Sequence, residues 1–255
     1  MDTLQSIGLG TMGIDDPETI ARAIELGYSH LDTAQIYDNE RVVGQGVERS
    51  SLDREELFVA TKVWIDKLAP KAVVDSTEAS LGRLGMDTVD LLYVHRPRGD
   101  YEPAETLPAF DELRDSGHIE HVGVSNFTVP QLERARDHLE APIFANQVEY
   151  HPLYQPEAAL EDAREHEYYL VAYSPLANGR AGDIPEVVEI ANKHNATPQA
   201  ICLAWLTAKD NVVAIPKASS EAHLRANLEA ADLELDPEDH DAIDGIEREE
   251  EIFPE

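Results

Sequence analysis

Four side chains of this sequence, Asp32, Tyr37, Lys62 and His95, could together place a proton on a carbonyl oxygen. A phenol with an ordinary pKa of about 10 is a poor acid or base at neutral pH, but an adjacent ammonium favours its ionised form. Lys62 can supply that charge, and Asp32 can hold the Lys62 ammonium charged in a partly dry pocket. His95 adds a hydrogen-bond donor that orients and polarises the oxygen, and Tyr37 gives it a proton. None of the twenty side chains delivers a hydride, so this chemistry also needs a nicotinamide cofactor. Singly, each residue has a plainer explanation. Tyr37 could be a surface phenol, Asp32 a turn residue or helix cap, Lys62 a solvated charge and His95 a structural histidine.

Their weight comes from the elements that must hold them. Short β-branched or apolar runs alternate with amphipathic segments along the chain, the pattern of βα units around a parallel sheet. Eight strands are expected: Ser6 to Gly10, Ser29 to Asp32, Leu57 to Thr61, Val89 to His95, His121 to Ser125, Ile143 to Gln147, Tyr169 to Tyr173 and Val212 to Pro216. Each gap is read as one helix with its turns. Asp16-Pro17 and Thr197-Pro198 are helix-opening signals, Thr128 with Pro130 resembles them, and Gly27 closes the first helix. Eight units in a chain of 255 residues predict a (β/α)8 TIM barrel as one domain over 1–255, with an open doubly wound sheet as the alternative. The acidic segment 247–255 is expected to fray.

In such a barrel the C-terminal strand ends converge on one mouth, so residues distant in sequence meet there. Those positions hold Asp32, Lys62, His95, Ser125, Asn126, Gln147, Tyr173 and Lys217, with Tyr37 in the loop after strand two. Ser125, Asn126 and Gln147 offer hydroxyl and amide groups for a carboxamide, and Tyr173 offers a ring face for a nicotinamide. The stretch IPKASS sets Lys217, Ser219 and Ser220 before a helix, a suitable phosphate site. No GxGxxG follows a strand, so the usual dinucleotide fingerprint is absent.

Composition narrows the classes further. There are 51 acidic against 20 basic residues, a formal charge of −31, spread over nearly every helical segment. Phosphate backbones would be repelled, which argues against nucleic acid. Such self-repulsion is relieved at molar salt, where the Debye length is roughly 3 Å, so a halophilic, salt-accumulating source is expected. The opening residues show no charged-then-apolar leader, and no apolar run approaches the roughly 18 residues that span a bilayer, so a cytoplasmic chain without membrane partners is expected. The single cysteine, Cys202, lies in the apolar run PQAICLAWL and reads as a buried small hydrophobe. His95, His121 and His151 fall near different strands without HxH or HExxH spacing, so no metal site is expected; His151 reads as structural.

Eight blocks now stand in order: GLGTMGI, GYSHLDTAQIYDNE, LFVATKVW, DLLYVHRP, HVGVSNF, NQVEYHP, AYSPLA and VVAIPKASS. Over nearly its whole length the chain resembles the aldo-keto reductase family, particularly its bacterial and archaeal diketogluconate-reductase-like branch. The resemblance implies Tyr37 as general acid, Lys62 and Asp32 as its tuning pair, and His95 as the substrate-orienting group. It further implies Ser125, Asn126 and Gln147 on the carboxamide, Tyr173 on the nicotinamide, and Ser174, Leu176, Lys217, Ser219 and Ser220 along the cofactor groove. NADPH/NADP+ is the expected cofactor, with NADH possible, because the family's phosphate-gripping arginine and adenine-side glutamate are here His223 and Ala226, followed by Asn227, and Ala218 stands for a serine. On the substrate side Met12 and Arg96 replace common tryptophans while Trp64 remains, and an abbreviated C-terminal loop implies an open pocket. Arg96 points to a carbonyl substrate bearing a carboxylate or many hydroxyls. A monomer is expected over an oligomer. Two rivals stay open: a Schiff-base aldolase using Lys62, and a non-catalytic nicotinamide-binding partner protein.

Overall fold

The computed structural model describes residues 4–254. Eight parallel strands lie in chain order in one sheet: β1 (Leu9–Gly10), β2 (His30–Asp32), β3 (Phe58–Val63), β4 (Val89–Val94), β5 (Ile119–Ser125), β6 (Ile143–Glu149), β7 (Tyr169–Tyr173) and β8 (Val212–Ala214). The two edges meet through a parallel bridge between Ile7 and Ala214, with Gly8 N donating to Ala214 O at 2.8 Å and Ala214 N to Ser6 O at 2.9 Å. The sheet therefore closes into the expected (β/α)8 barrel, because no open edge is left between β1 and β8.

The strands are buried on both faces, which is why they read as apolar runs. Inside the barrel Ala60, Leu91, Tyr93, Phe144, Ala145, Val171, Val213 and Ile215 form one cluster, while a larger one fills the space between strands and helices. Register sets the inner layers. Lys62 pairs with Tyr93 and Tyr93 with Gly123, and a Cβ on Gly123 would lie 2.6 Å from Tyr93 Cδ1. Glycine there is what lets the tyrosine ring fill the barrel. Below this layer an aromatic floor is built from His30, Phe58, His121, Phe144 and Tyr169, with His121 stacked on Phe144 at 4.1 Å and His30 edge-on to Phe58 at 5.4 Å.

The helices are α1 (Pro17–Leu26), α2 (Glu40–Arg49), α3 (Pro70–Leu84), α4 (Pro103–Asp115), α5 (Val129–Arg136), α6 (Glu157–Glu165), α7 (Pro185–His194), α8 (Pro198–Thr207), α9 (Glu221–Glu229) and α10 (Pro237–Asp244). The expected caps act as read: Asp16 accepts from Glu18 N at 3.0 Å, Thr197 accepts from Ala200 N at 3.2 Å, and Gly27 ends α1 at φ 112°. Two sequence expectations change. The gap before β8 holds two helices, because Asn195 turns left-handed at φ 52° and Thr197-Pro198 starts the chain again. The segment after α10, expected to fray, is held: Glu250 N donates to Leu153 O at 2.7 Å, and Ile252 N and Phe253 N donate to the Glu149 carboxylate at 2.7 and 2.8 Å. Backbone hydrogen bonds to a buried acceptor outweigh the mutual repulsion of its glutamates.

Candidate active site

β3 extends through Val63, two residues past its expected end, so Lys62 lies inside the barrel wall instead of following it. Its ammonium is fully buried and donates to Asp32 Oδ1 and to Thr33 O (2.7 Å). The second Asp32 oxygen accepts from Gln147 Nε2 at 2.7 Å. A buried carboxylate and ammonium cost several kcal/mol to desolvate unless mutually paired and hydrogen-bonded, and here both are. The Lys62 amine is thus engaged by Asp32, by Thr33 O and by a hydrogen bond with Tyr37.

Above this pair sits Tyr37, in the short turn Gln35–Tyr37 after β2, with Lys62 Nζ 5.2 Å from its ring centroid. By itself the neighbouring ammonium would bring the phenol toward neutral pH. In the folded chain burial is the larger effect and the Tyr37 pKa is raised, with Lys62 opposing it. The phenol thus rests protonated, the form an acid needs. His95 follows β4 directly and meets Tyr37 edge-on at 6.0 Å and Trp64 at 4.8 Å. Burial first, then the charges of Lys62 and Arg96, pull its pKa down to about 2, so the imidazole is neutral. Its Nδ1 is buried without a hydrogen-bond partner among the described residues.

The cofactor-side candidates form a second cluster in contact with the first. Ser125 Oγ donates to Gln147 O at 2.8 Å. Asn126, left-handed at φ 62°, donates from Nδ2 to His95 O (3.2 Å) and Ser125 Oγ (3.1 Å), and its Oδ1 accepts from the Tyr173 hydroxyl at 3.0 Å. Ser174 is also left-handed, at φ 50°, and Leu176 packs on the core at the start of the next turn. Past β8, exposed Lys217 lies 3.4 Å from Ser219 Oγ, and Ser220 caps α9 by accepting from His223 N at 3.3 Å. This donor set fits a nicotinamide nucleotide: amides and hydroxyls at one end, and a cation with hydroxyls at a helix start at the other. Asn227 departs from the expected groove lining. It is buried against Tyr28, whose hydroxyl donates to Leu224 O at 3.1 Å, so it serves the seat of α9.

On the substrate side, Met12 is exposed, Trp64 is half-buried, and Arg96 is near enough for its charge to act on both Tyr37 and His95. Gln35, which the sequence reasoning missed, accepts from Trp64 N at 3.1 Å and so fixes the start of that wall. Also missed was Glu149, two residues beyond Gln147 on β6. A carboxylate at an inward-alternating position of an apolar strand was the available signal. Elsewhere His194, Asp236 and Asp239 bring ligand atoms within 4.8 Å of one another, but Lys193 Nζ donates to both aspartates at 2.8 Å, making the group an ion-pair seam between α7 and α10.

Known proteins resemble this chain over nearly its whole length. It is 39% identical over 251 residues to the methylglyoxal reductase DkgB of Salmonella typhi, covering 96% of this chain and 94% of that one. It is 36% identical over 251 residues to the glyoxal reductase of Bacillus subtilis (strain 168), covering 97% and 90%. Among solved structures, MGS-M4, an aldo-keto reductase enzyme from a Medee basin deep-sea metagenome library, superposes with a TM-score of 0.94 at 32% identity, covering 99% of this chain and 95% of that one. With residues 6–248 matching the description "Aldo/keto reductase family", the chain belongs to that family.

Proposed function

We propose that this protein reduces small aldehydes or ketones, α-dicarbonyls first among them, using NADPH as the hydride donor and Tyr37 as the general acid. The observation that carries this reading is the convergence of Tyr37, His95 and the buried Lys62–Asp32 pair at one barrel mouth. A bound nicotinamide would supply the hydride; Gln147, Asn126 and Ser125 would hold its carboxamide, Tyr173 its ring, and Lys217 with Ser219 and Ser220 its phosphates. Neutral His95 orients the carbonyl oxygen by donating from Nε2. The Tyr37 hydroxyl gives that oxygen its proton, and the Lys62 ammonium, itself held by Asp32, stabilises the phenolate left behind. His223 takes the place of the family's phosphate-gripping arginine, which is the point at which NADH becomes a competitor. The Arg96 charge beside Tyr37 and His95 favours substrates carrying a carboxylate. The same reading makes the protein a cytoplasmic monomer suited to high salt, with its charge of −31 as the support.

The test follows nicotinamide absorbance in molar KCl with NADPH and NADH separately, against methylglyoxal, keto-sugar acids and simple aldehydes. Tyr37→Phe should lose about 10²–10⁴ in turnover while still binding nucleotide. Arg96→Ala should raise KM for anionic carbonyls more than for neutral ones. Nucleotide binding without turnover on any carbonyl would overturn the reductase reading.

A further inference from the structure

The last described residues and the end of β6 are built as a matched pair. Glu149 is 3% exposed, and its carboxylate receives three donors: Ile252 N at 2.7 Å, Phe253 N at 2.8 Å and His151 Nε2 at 2.8 Å. Leu153 N donates to His151 Nδ1 at 3.2 Å, which fixes the tautomer that places the proton on Nε2, toward Glu149. Leu153 O in turn accepts from Glu250 N at 2.7 Å. Alternate residues 149, 151 and 153 thus make a dock for a backbone segment. Without that segment, a buried carboxylate would lose two of its three donors, an expensive state.

What the dock presents is Phe253. Its ring meets Tyr173 edge-to-face, with centroids 6.0 Å apart and planes at 71°. Tyr173 is therefore held at both ends, its hydroxyl on Asn126 and its ring against Phe253, while remaining half-buried. Because Tyr173 remains partly exposed with Phe253 in place, the contact braces the tyrosine without covering it completely. The surface pairs Arg180–Glu250 and Arg248–Glu186 flank the segment but are exposed and contribute little by themselves.

We infer that Glu149 is a positioning residue: its carboxylate latches the C-terminal segment so that Phe253 fixes the ring of Tyr173, and this latch sets how long a nicotinamide nucleotide stays bound. The inference rests on the nucleotide-binding role proposed above for Tyr173. An edge-to-face aromatic contact changes an equilibrium by roughly two- to tenfold, so that is the effect to look for.

Two measurements on the full chain test it. Amide hydrogen exchange should show Ile252 and Phe253 protected in wild type and exposed in Glu149→Gln. Stopped-flow release of NADPH, read by nicotinamide fluorescence, should be roughly two- to tenfold faster in Glu149→Gln and in Phe253→Leu, near wild type in Phe253→Tyr, and no faster in the Glu149→Gln/Phe253→Leu double variant than in Phe253→Leu alone. Unchanged or slower release in variants whose tail amides are exposed would overturn the inference. So would a loss in Glu149→Gln that Phe253→Leu does not share, since Glu149 would then act through β6 and not through the tail. Wild type that binds neither NADPH nor NADH would instead overturn the reductase reading, and exchange alone would then decide whether the latch exists.

Discussion

Replacing Lys62 by methionine, which has similar length and no charge, would leave the Asp32 carboxylate 1% exposed with Gln147 Nε2 as its remaining side-chain donor. Breaking a buried ion pair from one side costs about 3–5 kcal/mol, because the surviving charge keeps its desolvation penalty and loses its partner. Asp32→Asn does the converse, leaving the Lys62 ammonium with a neutral amide and Thr33 O. In a chain of this size each kcal/mol moves Tm by about 2–4 °C, so both single variants should melt roughly 6–20 °C below wild type. The double variant Asp32→Asn/Lys62→Met buries no unpaired charge and should recover about 1–3 kcal/mol of the summed loss. Turnover behaves otherwise. Lys62→Met and the double variant both lack the cation under Tyr37, so both should lose about 10² or more in kcat. The assay is urea unfolding followed by circular dichroism, with methylglyoxal-dependent oxidation of NADPH, both in molar KCl. Single losses below about 1 kcal/mol, or strict additivity in the double variant, would refute a coupled buried pair. Near-normal turnover in Lys62→Met would refute the role given to its charge.

Three further outcomes follow from the same geometry. His95, held near 2 by burial and then by Lys62 and Arg96, should give no inflection in kcat/KM between about pH 5 and 9, and the alkaline limb should begin only above the ordinary tyrosine range because burial raises Tyr37; an inflection near the usual histidine pKa that vanishes in His95→Gln would contradict this. His30, fully buried with both ring nitrogens unpartnered among the described residues, has its pKa lowered to about 4, so the unfolded chain binds the extra proton first. Its contribution is complete above its ordinary pKa of about 6.5 and is lost as pH falls through the folded value, by about 3 kcal/mol in all; His30→Leu should flatten that part of the stability–pH curve. Melting in low salt and in molar KCl should show a higher Tm in KCl, as screening relieves the repulsion of 51 acidic against 20 basic residues, and equal melting would remove the halophilic reading.

Much of the candidate site was legible because parallel barrels bring the residues at their strand ends together. Asp32, His95, Ser125, Gln147 and Tyr173 each close or follow an apolar run, and alternation along the strand then decides which of them points inward. The helix boundaries at Asp16, Gly27 and Thr197 were legible for a similar reason, since caps act within a few residues. Longer-range facts were not. Nothing near Gln147 says that its amide donates to Asp32, 115 residues away, and nothing in EREEEIFPE says that Phe253 lies on Tyr173. Composition even misled for that segment, because its run of charges signals solvation unless a buried acceptor elsewhere receives its backbone.

By itself, then, the sequence determined the eight βα units and the set of groups available for proton transfer. Those depend on periodicity, capping and residue type, which are local properties. Only the tertiary structure decided their states: that burial outweighs Lys62 at Tyr37, that His95 is neutral, that Asn227 turns inward against Tyr28, and that the acidic tail is latched to Glu149. Desolvation and pairing depend on which atoms exclude water from which others, and that is a property of the closed barrel, not of any stretch within it.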